Sequence, residues 1–554
     1  MSASTALAMA GMGSSCPGTG STANFDNPAL LAYLPAQTFL RSWQSAMVID
    51  IGAASATDST FDHDQNVFSS GTVAIYPSAV FHDADEKFYA IFTRGTGVPP
   101  LATGSVNVFA TQQNDMKSTT WVSGLGSFTQ LDVSTSIESF QVKAAVDQAG
   151  NVTSYFSASP PPPGVASHRQ LKSSRHTYGN GTWDAPVTIS NTANTNPVGG
   201  GAGGLVQDVQ NNTAAAVDGF GNTVVVWVQA VAGINQAFFN EYRPNLGWRF
   251  SSVNPTVPWN DMTTNDPVIA RGVDVGFDSF GNGYGIYVTQ PLGAGPNVIK
   301  SARWRNDKPE NFPLTTVGFG GADGGDVVAV SLPGHAVFGY PRIYVAPNGA
   351  GTAFWYEATG QLWWARTGPN NMPSTGTWSQ QARFDLSFGA ASYLPYNLET
   401  SQGYYIPPIL AGDGAVAAIA TIKFDGTNRR LFVSRSTDSG ASWASLGTAD
   451  LSGFTRDVDA ANIAVNQNGD IVVAYSANDP ADFREHVYGN VYTQGNWSGV
   501  VQLDFNNSVL ASGRPNYALP NVSIDELGNA CAVYTINDVL FSPSRRRVLA
   551  NFYR

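Results

Sequence analysis

Charged residues are scarce in this chain, with Asp, Glu, Lys and Arg making up 13% of its 554 residues. The helix formers Glu, Lys and Arg are correspondingly few, and no long stretch carries a 3.6-residue apolar period, which excludes a helical bundle or a coiled coil. Two cysteines, Cys16 and Cys531, are too few for a disulfide framework or a thiolate metal cluster. Cys531 sits in the apolar run Ala530-Cys531-Ala532-Val533-Tyr534 and reads as a small buried hydrophobe. No stretch is long and apolar enough to span a bilayer as a helix. The net charge is −12, from 29 Lys plus Arg against 41 Asp plus Glu, so no basic stripe marks a nucleic-acid partner. Neither a Gly-x-Ser-x-Gly elbow nor a zinc-type His-Glu-x-x-His occurs.

Glycine (57 residues), proline (32) and aromatics (12%) are plentiful, which suits many short strands joined by tight turns. The stretch 216–248 shows the unit. Val217, Thr223, Val225 and Trp227 flank a Gly221-Asn222 turn in a period-2 pattern, a third run follows at 237–242, and Pro244-Asn245-Leu246-Gly247 leads to Trp248. An Asp-x-x-Gly-Asn signature with an aromatic five residues later recurs at Asp147…Phe156, Asp218…Trp227, Asp278…Tyr287 and Asp525…Tyr534. Looser copies lie at Asn466…Tyr475, Asp83…Phe92, Ala346…Trp355 and Ala411–Ala415, making eight.

A second ruler is the Trp that leads the fourth strand: Trp121, Trp183, Trp248, Trp378, Trp443 and Trp497, with Phe312 where a Trp is missing. These are spaced by roughly 54 to 66 residues, as four-stranded units with generous loops require. The eighth such strand, 42–50 around Trp43, stands at the N-terminus, while the chain stops on the third-strand-like Val548–Arg554. A ring closed by borrowing the N-terminal strand for the last blade accounts for both. The expectation is an all-β chain: one β-propeller of eight four-stranded blades, with seven as the alternative count. It would occupy 38–554 after a signal-like segment (1–16) and a flexible tether (17–37).

The repeated turns share one face of such a ring, and their default role is to fix hairpins. Ser436-Thr437-Asp438-Ser439-Gly440-Ala441-Ser442-Trp443 is the fullest of them, an ungapped Ser-x-Asp-x-Gly-x-x-Trp. Asp accepts N–H groups within the turn, Gly takes the awkward dihedral and Trp packs between sheets. On these residues (Ser436, Asp438, Gly440, Trp443) the chain resembles the Asp-box (BNR, sialidase-like) repeat propellers, many of them secreted or surface proteins. In that family the Asp-box lies away from the active site, so the resemblance supports the fold and leaves the chemistry open.

The long, Gly-rich connections 196–204 and 318–326 place ligand contact on the opposite face, where loops meet partners. A sialidase-like site would need an arginine cluster, a Tyr nucleophile with a Glu partner, and an Asp acid. Arg271, Arg342, Arg456 and Arg514 stand near the starts of innermost strands and are the arginines able to converge. Tyr404, Tyr405 and Tyr517 are candidate tyrosines, and Glu399, Asp457 and Asp459 candidate acids. The family's Phe/Tyr-Arg-Ile-Pro motif is approached at Tyr404-Tyr405-Ile406-Pro407, where Tyr405 replaces the Arg, and at Pro341-Arg342-Ile343-Tyr344, where the Pro is lost. Both departures count against sialidase chemistry. The aromatic run with Tyr393, Tyr404 and Tyr405 in an inter-blade connection is a candidate sugar-stacking platform.

Asp62-His63-Asp64 and His82-Asp83-Ala84-Asp85 could contribute to a calcium or transition-metal site, but His82-Asp83 falls on a repeat turn and no cofactor is expected. The segment ending Gly13-Ser14-Ser15-Cys16, followed by a Gly/Ser/Thr-rich run, resembles the end of a bacterial lipoprotein signal. That resemblance implies export, with Cys16 as the lipidation candidate and membrane contact only through its lipid. The functional expectation is an exported propeller that binds a glycan, polymer or protein on its long-loop face without catalysis. The alternatives are a carbohydrate-active hydrolase or lyase with a central pocket, and a structural envelope lipoprotein.

Overall fold

In a computed structural model, residues 41–49, 78–82, 87–96, 105–112, 129–131, 138–147, 149–159, 170–177, 182–190, 213–231, 234–244, 246–248, 268–289, 296–304, 327–331, 337–357, 361–368, 378–384, 408–425, 427–450, 457–479, 484–504, 520–538 and 545–554 are described. Every regular element among them is a β-strand. The chain divides into two units, 1–42 with Arg554, and Trp43–Tyr553, which holds all of the described strands.

The hairpin unit forms as its residues dictate. Asp218 ends the innermost strand Thr213–Val217, and its Oδ1 accepts the backbone N–H groups of Phe220 and Asn222, both at 2.9 Å. Gly221 supplies φ 78° and the chain returns as Thr223–Val231, pairing Val217 with Thr223 and Thr213 with Trp227. The same carboxylate-closed turn recurs at Asp147, Asp278 and Asp525, while at Asn466 the side-chain oxygen of an amide does the work for the N–H of Asp470. Five residues past each turn the aromatic side chain goes inward: Phe156, Trp227, Tyr287, Trp355, Tyr475 and Tyr534 are all within 2% of complete burial. Such rings carry the largest apolar burial of any side chain and set the wedge between neighbouring sheets.

The strands form seven hydrogen-bonded sheets in a ring, a β-propeller whose sheet count is the seven of the alternative reading. The expectation of eight separate blades is corrected here. Two four-stranded units, 78–130 and 138–188, are joined into one eight-stranded sheet by a parallel pairing of Val106 with Glu138. The innermost strands touch in a closed cycle, from Ser78–His82 through those of Lys143, Thr213, Asp274, Arg342, Leu410, Asn462 and Asn521 and back to the first.

Ring closure follows the sequence expectation. Met47–Val48 pairs with Ala550 and Leu549 of Arg545–Tyr553 and completes the last sheet. Trp43 bridges to Tyr553 with ring centroids 5.5 Å apart, and Gln44 accepts a hydrogen bond from the Asn551 amide. Where Phe312 was expected to lead a fourth strand, that sheet's fourth strand is Val327–Ala329, and residues 312 and 121 lie outside the described set.

Candidate functional site

Within each sheet the repeated tight turn ends the innermost strand on one face, so that strand begins on the opposite face, beside the inter-blade connections. At that end four innermost strands are irregular. The register breaks between Phe140 and Lys143, between Val268 and Val273, between Gly339 and Arg342, and between Val458 and Ala460. Tyr340 takes φ 57°, a left-handed conformation rare for a bulky side chain. Bulges of this kind turn the following side chains in a new direction and concentrate beside functional sites.

The side chains that follow these breaks share one level of the ring. Lys143 pairs with Tyr155, Ala214 with Val226, Asp274 with Ile286, Arg342 with Phe354, Asn462 with Ala474 and Asn521 with Val533. In each case the partner is the residue just before the buried aromatic, so the six positions are equivalent. Their neighbours Val142, Val273, Ile343, Ile463 and Val522 are buried in inter-sheet cores, whereas Lys143, Asp274, Arg342, Asn462 and Asn521 stay half-buried on the strands that line the centre.

Three of these groups act on one another. Asp274 accepts the N–H of Ile343 from the next innermost strand at 2.9 Å, and Lys143 Nζ donates to Thr213 O at 2.6 Å. Desolvation raises the Asp274 carboxyl, opposed first by Arg342, then by the N–H groups of Ile343 and Val275, and last by Lys143. The Lys143 strand is two places away from the Asp274 strand, and Lys143 Nζ is held by the intervening strand at Thr213 O. Tyr155 is buried beside it, and its phenol is pushed up by desolvation and then by the negative charge of Asp274. The result is one reluctant carboxyl under the influence of two cations, all three at mid-strand positions of innermost strands.

Of the residues expected from sequence, Arg342 is brought into this group. Arg271 lies on the Asp274 strand, inside its irregular stretch. Tyr393, Tyr404, Tyr405, Arg456, Arg514 and Cys16 lie outside the described residues. Asp459 is placed elsewhere on the same face, buried between two sheets, with its Oδ1 2.6 Å from Arg429 Nη2. Lys143 and Asp274 were not singled out from sequence, yet a signal for them exists. Lys143, Ala214, Asp274, Arg342, Asn462 and Asn521 each stand four residues before the turn residues Asp147, Asp218, Asp278, Ala346, Asn466 and Asp525.

The 436–443 turn lies at the other face and binds itself. Ser436 Oγ accepts the N–H of Gly440 (2.9 Å) and donates to Asp438 (2.8 Å), and Asp438 accepts both the N–H and the hydroxyl of Ser442 (2.8 and 2.5 Å). Against the desolvation of the turn, these hydrogen bonds hold the Asp438 carboxyl below its ordinary value. Trp443 packs edge-on to Phe354 and Phe384 at 5.1 and 5.7 Å. Its residues are consumed by the hairpin. Among the described residues no three His, Cys, Asp or Glu side chains gather to hold a metal ion.

No protein-family model matches the chain, and no curated protein matches it by sequence. Among solved structures it is similar to the BP39L lectin from Burkholderia pseudomallei (14% identity over 78% of this chain and 99% of that one, TM-score 0.42). It is also similar to the polysaccharide lyase Uly1 (10%, 84% and 98%, TM-score 0.42) and to the NanB sialidase from Streptococcus pneumoniae (11%, 87% and 92%, TM-score 0.35). At these identities and TM-scores the likenesses carry no argument about what this chain binds or does.

Proposed function

We propose that the protein is a glycan-binding propeller whose central opening takes an acidic sugar group, a carboxylate or sulfate on a polysaccharide, and does not cleave it. The observation that carries this reading is the placement of Lys143 and Arg342 on either side of Asp274 at one level of the innermost strands. A protein of net charge −12 that sets two cations at its opening concentrates positive potential where a ligand enters, and a low-dielectric wall focuses that field. A glycan is one of the ligand classes expected from the sequence, beside a polymer or a protein, and the acidic character comes from the site.

Two features favour binding over turnover. The tyrosine paired with Lys143, Tyr155, is packed in an inter-sheet core, and burial and then Asp274 push its phenol further up, which makes it a poor nucleophile. The other raised carboxyls of this face, Asp450, Asp459 and Glu485, are themselves buried. One observation favours a second reading, a hydrolase or lyase: a raised Asp274 beside two cations is suited to deliver a proton to a leaving oxygen.

Retention on immobilised polygalacturonate, against a neutral β-glucan of similar length, tests the proposal. Selective retention that falls about tenfold or more in Arg342→Ala or Lys143→Ala is expected, the loss of a charge-assisted contact. Equal retention on both polymers, or unchanged retention in both variants, contradicts it. Chain shortening of the polymer by the wild type and not by Asp274→Asn would establish the second reading instead.

A further inference from the structure

The tight turns that close the hairpins carry apolar side chains that the turns do not need. Asp218 Oδ1 accepts the backbone N–H of Phe220, and Asp278 Oδ1 that of Phe280, both at 2.9 Å. What closes each turn is thus the main chain of the phenylalanine and not its ring. The equivalent positions of other sheets hold Ala149, Asn348 and Asn468, so a small or polar side chain serves the hairpin as well. Yet Phe220 is 62% exposed and Phe280 66%.

These side chains are also gathered. A Cβ on Gly219 would collide with the carbonyl oxygen of Ser279, so the two phenylalanine-bearing turns abut across the gap between neighbouring sheets. A Cβ on Gly221 would stand 3.4 Å from Pro244 Cγ, which brings in the outer turn 243–247 with Leu246 near its tip, 61% exposed. Leu527, 59% exposed, holds the Phe220 position in the sheet that closes the ring. Four of the six large hydrophobic side chains exposed among the described residues therefore stand on the tight-turn face. Single exposed apolar residues are ordinary, whereas a set collected on one face marks a surface that meets something apolar.

What it meets is indicated by where the chain enters the ring. Trp43 bridges to Tyr553, and Tyr553 pairs with Ala530, the first residue after the turn 525–529. The polypeptide therefore enters on this same face, in the sheet that carries Leu527. An anchor upstream of Trp43, such as a lipid on Cys16, would draw this face toward a bilayer and leave the long-loop face outward. The turns 218–222, 278–282 and 525–529 and residues 244–247 contain no Lys or Arg, so attraction to anionic headgroups is not the means. We propose that the tight-turn face lies on a lipid bilayer, with Phe220, Phe280, Leu246 and Leu527 seated in its interfacial layer. Apolar turn tips give a shallow, reversible contact, which a tether reinforces by raising the local concentration. The long-loop face is then open to ligands from the medium. This inference is independent of what the central opening binds.

Amide hydrogen exchange tests it on the full chain coupled through Cys16 to phosphatidylcholine vesicles that carry a maleimide lipid; Cys531 is buried and does not compete. The reference is the same chain coupled to a soluble maleimide polymer, so the tether is supplied whether or not Cys16 is lipidated in the cell. Exchange across 218–222, 244–248 and 278–282 is expected to slow about threefold or more on vesicles, at low and high salt alike, with 427–430 at the opposite face unchanged. In Phe220→Asn with Phe280→Asn, which keeps the backbone N–H groups and copies Asn348 and Asn468, the slowing should vanish while the melting temperature stays near wild type. Leu246→Asn, in a separate turn, should reduce the slowing about twofold or more and serves if the double variant does not fold. No slowing on vesicles, or equal slowing in these variants, overturns the proposal. Slowing of the same turns in the soluble reference as protein concentration rises would assign the face to a second copy of the chain and overturn it too.

Discussion

Arg175 Nη2 lies 2.5 Å from Asp147 Oδ2, and both side chains are almost fully withdrawn from water. The pair ties the turn of one hairpin to the end of its third strand, while the guanidinium also donates to Thr153 and lies 4.2 Å over the Tyr242 ring of the neighbouring sheet. Removing one member of such a pair leaves the other buried without a partner. Asp147→Ala is therefore expected to cost about 3 to 5 kcal/mol, read as a lowered denaturant midpoint. A loss below about 1 kcal/mol would mean that water reaches Arg175.

Ring closure gives a second expectation. A Cβ on Gly489 would stand 2.8 Å from the indole of Trp43, which lies against this glycine and Tyr553. Gly489→Ala should push Trp43 away and destabilise the protein by about 1 to 3 kcal/mol, with red-shifted tryptophan emission. The outermost strand of the 409–448 sheet is tolerant by comparison: at Gly447 no atom lies within 4 Å of an added Cβ, although its φ of 77° costs any side chain about 1 kcal/mol.

The Ser436–Trp443 turn separates scaffold from site. Asp438→Ala removes the acceptor for Ser442 and Ser436 and should cost about 1 to 2 kcal/mol. Polygalacturonate retention should be unchanged, because these residues lie on the face away from Arg342. Loss of binding without loss of stability would contradict the assignment of faces.

Asp450 supplies a pH dependence. Desolvation lifts its carboxyl to about 6, above the ordinary 3.8, despite the short contact with Arg430, so burial outweighs the ion pair. The folded-state value lies above the unfolded one, so the folded protein binds more protons in that window. Its contribution to stability is full below about pH 3.8 and is lost as pH rises through about 6. Asp450→Asn should flatten the stability curve between pH 4 and 6 relative to wild type. A variant curve parallel to the wild type in that window would show that Asp450 stays ionised when folded.

The fold was legible because each repeat states its own hairpin: Asp218 and Gly221 close one turn by local hydrogen bonds, and Trp43 announces the strand that closes the ring. The sheet count was less so, since one pairing, Val106 with Glu138, joins two units and depends on how neighbouring blades abut. The site was half legible. Arg342 was visible as an arginine near the start of an innermost strand, whereas Lys143 and Asp274 emerge only when the offset of four residues before each turn is read as a position in the ring. Asp459 was visible as an acid, but its partner Arg429 belongs to another sheet, which no local pattern encodes.

The central opening as an anion site carries the proposed function. Isothermal titration of polygalacturonate into wild type, Arg342→Ala and Lys143→Ala at two salt concentrations tests it directly. Binding to wild type that weakens with salt, and falls about tenfold or more in each variant while their melting temperatures stay near wild type, is the predicted result. Salt-independent binding, or full affinity in both variants, would contradict it.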